Sequence, residues 1–218
     1  MKKTAAKILI IIFIFIFSIC GCAPESVKLL NEDYKGIGFE WDIFDLRENW
    51  TEDNFDYIKE AIEYFKPSAV RSMLDIDKFV KSFDDSNNPV YDFESKLMDN
   101  LYDILDYCQQ KDITVAIGLW HARHEGSFIY EVLKDEGNPL FAEISLELTE
   151  HLINNKKYGC IKYIIPYNEP NYTRRYRNNK ALDSYVLWSE CMHNFIENIS
   201  QRKFDTPVQI AAPDCSSI

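Results

Sequence analysis

The hydrophobic positions of this chain fall into two rhythms that take turns. Near-continuous apolar runs of five to eight residues mark strands, and apolar residues three and four apart mark helices. Residues 36–41 form a short apolar segment and the first predicted strand. Thr51 caps a predicted helix to residue 65, with Phe55, Ile58, Ile62 and Phe65 on its inward face, and Pro67 ends it. A second strand follows over 69–74. A second helix over 93–110 keeps Leu97, Leu101, Ile104, Leu105 and Cys108 on one side. Residues 113–120 are almost wholly apolar, as expected of a strand covered on both faces in a parallel sheet. A third helix over 141–156 turns Phe141, Ile144, Leu148 and Leu152 inward, and a fourth strand spans 161–167. A fourth helix over 181–199 buries Tyr185, Trp188, Met192, Phe195 and Ile199, and a fifth strand spans 208–212. Five strands interleaved with four helices predict an α/β protein with a parallel sheet.

The N-terminus follows neither rhythm. Lys2, Lys3 and Lys7 precede a run from Ile8 to Ile19 broken only by Ser18. A membrane-spanning helix needs about 20 apolar residues, so this shorter run reads as the core of a secretory signal. It ends in Ile19-Cys20-Gly21-Cys22, which resembles a bacterial lipobox. Cys22, preceded by the small Gly21, is the expected lipidation site, with Cys20 the second candidate. The expected organisation is a lipoprotein signal peptide over 1–21, a polar tether over 22–33, and one domain over 34–218. The expected location is outside the cytoplasm, with the membrane as a partner through the lipid anchor.

Charge and cysteine use narrow the partners. The formal net charge is −11, and removing a signal that carries three lysines and no acid makes the remainder more acidic still. Such a surface argues against nucleic acid or anionic lipid as a ligand and suits a neutral one. Cys108, Cys160, Cys191 and Cys215 show no CxxC spacing, so a structural metal site is not expected; buried free thiols are. No glycine-rich phosphate loop follows any strand, and no cofactor is expected.

In β/α architectures the chemistry gathers at the C-terminal ends of the strands. Those ends carry Glu40-Trp41-Asp42, Arg71, Trp120-His121, Tyr167-Asn168-Glu169-Pro170-Asn171 and Pro213-Asp214. The segment from Ile164 to Pro170 resembles the Asn-Glu-Pro motif that closes strand four in clan A glycoside hydrolases, the retaining group that includes families 5 and 39. The segments from Gly36 to Asp42 and from Pro67 to Arg71 are similar to the first two strands of the same relatives. The resemblance extends over about residues 36 to 214 as a pattern of strands and strand ends.

That resemblance implies a (β/α)8 TIM barrel, incomplete here, and a secreted glycosidase acting on an oligosaccharide or polysaccharide with β-linkages. It makes Glu169 the acid/base. Asn168 would bond the sugar 2-hydroxyl, Arg71 would orient the nucleophile carboxylate, and His121 and Trp120 would line the cleavage point. Trp41 and Trp120 serve equally as packing or as sugar platforms. Each role has a structural alternative: a loop carboxylate for Glu169, a turn residue for Asn168, a salt bridge for Arg71, a strand-end histidine for His121. Retention needs two carboxyls about 5–5.5 Å apart, and the resemblance puts the nucleophile on a seventh strand. The predicted strands recur about every 43 residues, so eight units need about 340, within the range of the fold. The expectation is a chain without its nucleophile and inactive by itself. The competing functions are a glycan-binding lipoprotein without catalysis and an unrelated barrel enzyme.

Overall fold

The computed structural model describes residues 36–42, 52–120, 126–171, 176–177, 180–181 and 184–213. Its centre is a five-stranded parallel sheet of β1 (Gly38–Glu40), β2 (Ala69–Leu74), β5 (Thr114–Leu119), β6 (Ile161–Ile165) and β9 (Gln209–Ile210), in that spatial order. Each strand lies beside the next along the chain with no reversal. That is the winding of a β/α barrel, whereas a doubly wound sheet changes direction at a switch point. Among the described residues the sheet does not close on itself.

Helices α1 (Glu52–Phe65), α2 (Lys96–Gln110), α4 (Pro139–Glu150) and α5 (Ser184–Ile199) connect these strands, and a short α3 (Phe128–Leu133) precedes α4. Side-chain caps set several starts. Ser95 accepts from Met98 N, Ser127 from Tyr130 N and Asn138 from Leu140 N, each satisfying an amide that the first turn leaves open. The cap at Ser95 starts α2 three residues later than its apolar pattern suggests, and Phe93 stacks with Tyr91 outside the helix. In α1, Phe65 is 53% exposed while Ile62 is buried. The expected inward Phe65 is corrected: the helix ends there, with Lys66 at φ 47.

The strands alternate between two faces, as a period of two requires. Val70, Leu74, Val115, Ile117, Leu119, Ile161 and Ile164 join the helices in one apolar core with Met98, Leu101, Ile104, Leu105, Phe141, Ile144, Leu148 and Phe195. Full burial of such a side chain contributes roughly 1.5–3 kcal/mol. Arg71, Met73, Gly118 and Ile165 occupy the other face. A Cβ added at Gly118 would meet Met73 Sδ at 2.7 Å and Ile165 Cβ at 2.9 Å, so the strands close up there only because the position is glycine.

Two hairpins decorate the βα loops: β3 (Val80–Phe83) with β4 (Pro89–Tyr91), and β7 (Tyr176–Arg177) with β8 (Lys180–Ala181). The Asp84-Asp85 pair lies in the exposed turn of the first hairpin. There Asp84 accepts from Ser86 N and Asn88 N at 2.8 Å each. The third predicted helix ends as a π-helical turn over His151–Asn155. His151 stacks on Phe93 at 4.0 Å. The Tyr102 hydroxyl donates to Phe93 O and so accepts from His151 Nε2 at 3.0 Å. Among the described residues Cys108, Cys160 and Cys191 are buried free thiols, and burial pushes the first two up to about 12 and about 11.

Candidate active site

The C-terminal ends of β1, β2, β5 and β6 bring together residues distant in sequence. In-register pairing of β1 with β2 sets Glu40 beside Arg71 on the same face. The Arg71 guanidinium donates through Nη1 to Glu40 Oε1 and through Nη2 to Asn168 Oδ1, just past β6. It lies 5.8 Å from the centre of the Trp120 ring at the end of β5, within the range of cation–π attraction. Of the predicted site residues, Arg71, Asn168 and Trp120 therefore converge. His121 and Cys22 lie outside the described residues, as does Asp214.

Trp41 does not join them, which corrects its assignment as a substrate-binding residue. Its ring is 2% exposed and sits between Phe55 of α1 at 5.2 Å and Tyr107 of α2 at 5.8 Å. A buried ring on the helix-packed face presents no surface to a sugar. The same alternation turns its neighbours Glu40 and Asp42 to the opposite face. That was the sequence signal for both: an apolar ring flanked by two acids in a strand places the acids together.

Asp42 is 6% exposed, and its Oδ1 accepts from Met73 N at 2.7 Å. Burial lifts its carboxyl to about 7, and the charge of nearby Glu40 adds to the rise. The Met73 bond and Arg71 oppose it. At neutral pH the carboxyl is thus near half protonation, unlike an ordinary aspartate.

Glu169 follows Asn168 with φ 45, in the left-handed region that a side chain rarely occupies. The following Pro170 makes this costlier, because proline steers its predecessor toward extended backbone. Asn168 and Tyr167 are buried at 1% and 2%, while Glu169 is half-buried. Cys191 of α5 donates to Pro166 O at 3.5 Å, backing the segment from behind. The backbone around Glu169 is thus held in an unfavourable conformation by a well-packed frame, an arrangement that clusters at functional sites.

Asn168 Nδ2 is buried and has no protein partner among the described residues. No group of three potential metal ligands occurs among the described residues. An open cleft of about 550 Å³ lies elsewhere, between the α3–α4 turn and α5, lined by residues such as Lys134, Asp135 and Glu190. It includes none of the strand-end residues.

No protein-family profile matches the sequence, and no curated protein matches it. Solved structures do. A family 39 glycoside hydrolase from Xanthomonas axonopodis pv. citri superposes with a TM-score of 0.52 at 17% identity, over 84% of this chain and 35% of that one. A family 5 subfamily 4 broad-specificity endoglucanase from an uncultured bacterium gives a TM-score of 0.45 at 15% identity, over 77% of this chain and 51% of that one. This chain therefore spans about a third to a half of the length of these structures. The likeness to the family 39 enzyme shows the fold: five parallel strands joined by helices in consecutive β/α order, as in part of a TIM barrel.

Proposed function

We propose that this chain carries the strand-one to strand-five side of a retaining glycosidase site for a β-linked glycan, exported and anchored through Cys22. The observation that carries this reading is the Arg71 guanidinium bridging Glu40 and Asn168 beside Trp120, next to a Glu169 held at positive φ. Asn168 Nδ2 supplies a hydrogen-bond donor for a sugar hydroxyl oxygen, and the Trp120 ring supplies an apolar face for the sugar. Glu169, at the end of a buried strand segment, is the acid/base. It protonates the departing glycosidic oxygen and then deprotonates the water that releases the sugar.

The mechanism needs a second carboxyl as nucleophile, which the family resemblance puts on a seventh strand. The five parallel strands described here do not include it. The proposal for these five strands is therefore ligand binding, with turnover depending on that carboxyl.

The reading is tested by titrating the full chain with cellobiose and xylobiose while following tryptophan fluorescence and NMR. Aryl β-glycosides are assayed in parallel. Binding that is lost in Asn168→Ala, with no turnover, is the expected result. Absence of binding to any β-linked probe sinks the glycan reading. Turnover by this chain that disappears in Glu169→Gln would place the nucleophile among these strands and overturn the assignment to a seventh. The lipid anchor is tested separately: labelled palmitate should be incorporated by the wild type and not by Cys22→Ala.

A further inference from the structure

Arg71 is where three strand ends meet, and its chemistry dictates the orientation of the residue that contacts a ligand. A guanidinium carries only donors. When Nη2 faces the Asn168 amide, the amide oxygen must turn toward it and the amide nitrogen away. Asn168 Nδ2 is then the atom left buried without a protein partner among the described residues. The orientation of Asn168 is thus set by Arg71, and Arg71 in turn is held through Nη1 by Glu40.

The end of β1 is built to keep Glu40 there. Trp41 N donates to Arg71 O at 2.9 Å, and Met73 N donates to Asp42 Oδ1 at 2.7 Å. The link between β1 and β2 therefore continues past the last paired residues, Glu40 and Arg71, with the Asp42 side chain taking the place of a backbone acceptor. Trp41, locked between Phe55 and Tyr107, fixes the face on which Glu40 emerges.

We propose that Glu40 is a positioning residue for ligand recognition. It holds the Arg71 fork so that Asn168 presents its amide nitrogen, and the site therefore takes a hydrogen-bond acceptor, such as a sugar hydroxyl oxygen, at that point. The identity of the ligand rests on the glycosidase reading; the relay from Glu40 through Arg71 to Asn168 does not. An ordinary half-exposed ion pair contributes little and would leave Asn168 indifferent to Glu40, which is the outcome to exclude.

The experiment uses the 15N-labelled full chain without ligand. The Asn168 side-chain amide signal is identified by its loss in Asn168→Asp. In the wild type the Arg71 terminal nitrogens should give separate, slowly exchanging signals because both are held. Glu40→Ala should merge them and shift the Asn168 amide pair, with the rest of the spectrum and the melting temperature nearly unchanged. Glu40→Gln, which keeps an acceptor oxygen, should restore the wild-type Asn168 signal. An Asn168 amide that stays put in Glu40→Ala overturns the proposal. If Glu40→Ala fails to fold, Arg71→Lys serves instead, since one ammonium cannot span both partners as the fork does. An unmoved Asn168 amide in that variant overturns the proposal equally. Failure of cellobiose and xylobiose to bind, with these signals responding as stated, would sink the glycan reading and leave the relay standing.

Discussion

The two faces of the central sheet are made from the same strands and obey opposite rules. The helix-packed face is apolar but for the buried Ser72, with Val70, Leu74, Val115, Ile117 and Ile164 fitted against α1, α2 and α4. The other face carries Arg71, Glu40 and Asp42, where Arg71 donates to Glu40 and Asn168 and Asp42 accepts from Met73 N. A single step along β1, from Glu40 to Trp41, crosses from one regime to the other. The first face makes the fold possible. The second packs Met73 and Ile165 over Gly118 and, at the strand ends, holds the donors and carboxyls of the candidate site.

The largest test of this division is Glu169. In a form of the protein that supplies the strand-seven carboxylate, Glu169→Ala should slow cleavage of unactivated glycosides by about 10²–10⁴-fold, the usual worth of a general acid/base. Substrates with good leaving groups should be spared in the first step, and azide should restore turnover by giving a β-glycosyl azide. Cleavage at the wild-type rate, or an inverted first product, rejects the assignment. The fold should be unaffected.

Trp41 provides the opposite signature. Trp41→Ala empties a site between Phe55 and Tyr107 and should cost about 3–5 kcal/mol of stability, read by denaturant unfolding. The molecules that remain folded should bind a sugar probe as the wild type does. Weakened binding at unchanged stability would return Trp41 to the ligand site and break the comparison.

Much of this was legible in the chain because hydrophobic periodicity reports burial. All five parallel strands lie within the predicted segments, and Asn168-Glu169-Pro170 follows the fourth of them. What escaped was decided by single residues or by contacts between distant segments. Trp41 at a strand end looks like a sugar platform until its parity is fixed by Phe55 and Tyr107. The β3–β4 hairpin hides in a polar stretch, because Asp84 to Asn88 form its turn and Pro89 opens its second strand. The short α3 has only six residues, too few for a periodic signal. Burial of Asp42 was not readable, since nothing local announces that Met73 N will meet it.

The pH dependence of stability sharpens the contrast further. The Asp42 carboxyl is raised to about 7 in the folded chain, against about 3.9 for an unperturbed aspartate. A raised folded value means that the native state holds the proton more tightly. The associated stability is fully present below about pH 4 and is lost as pH rises through about 7. The expected loss is on the order of 2–4 kcal/mol. Asp42→Asn keeps the acceptor for Met73 N and removes the titration. The difference between wild-type and variant unfolding free energies should therefore change across pH 4–8 and level off above it. A difference independent of pH would show that Asp42 is an ordinary solvated carboxylate.

Gly118 gives the smallest effect and the one that most qualifies the division between faces. It lies on the face that carries the site, yet its surroundings are as tight as the core, with Met73 and Ile165 closing over it. Ile165 O also stands 2.9 Å from a Cβ built there, and backbone cannot retreat as a flexible Met73 side chain can. Gly118→Ala should therefore push β5 from β6 and cost about 1–3 kcal/mol, the range for overpacking. The lost flexibility of the unfolded chain, which favours alanine by about 0.4–1 kcal/mol, offsets only part of this. Because β6 leads directly into Asn168 and Glu169, the displacement should also reach the site. The Asn168 amide signal should shift in Gly118→Ala even though residue 118 does not touch it. A stabilised variant with an unmoved Asn168 would mean that the strands part freely, and that this face is loosely packed outside its polar network.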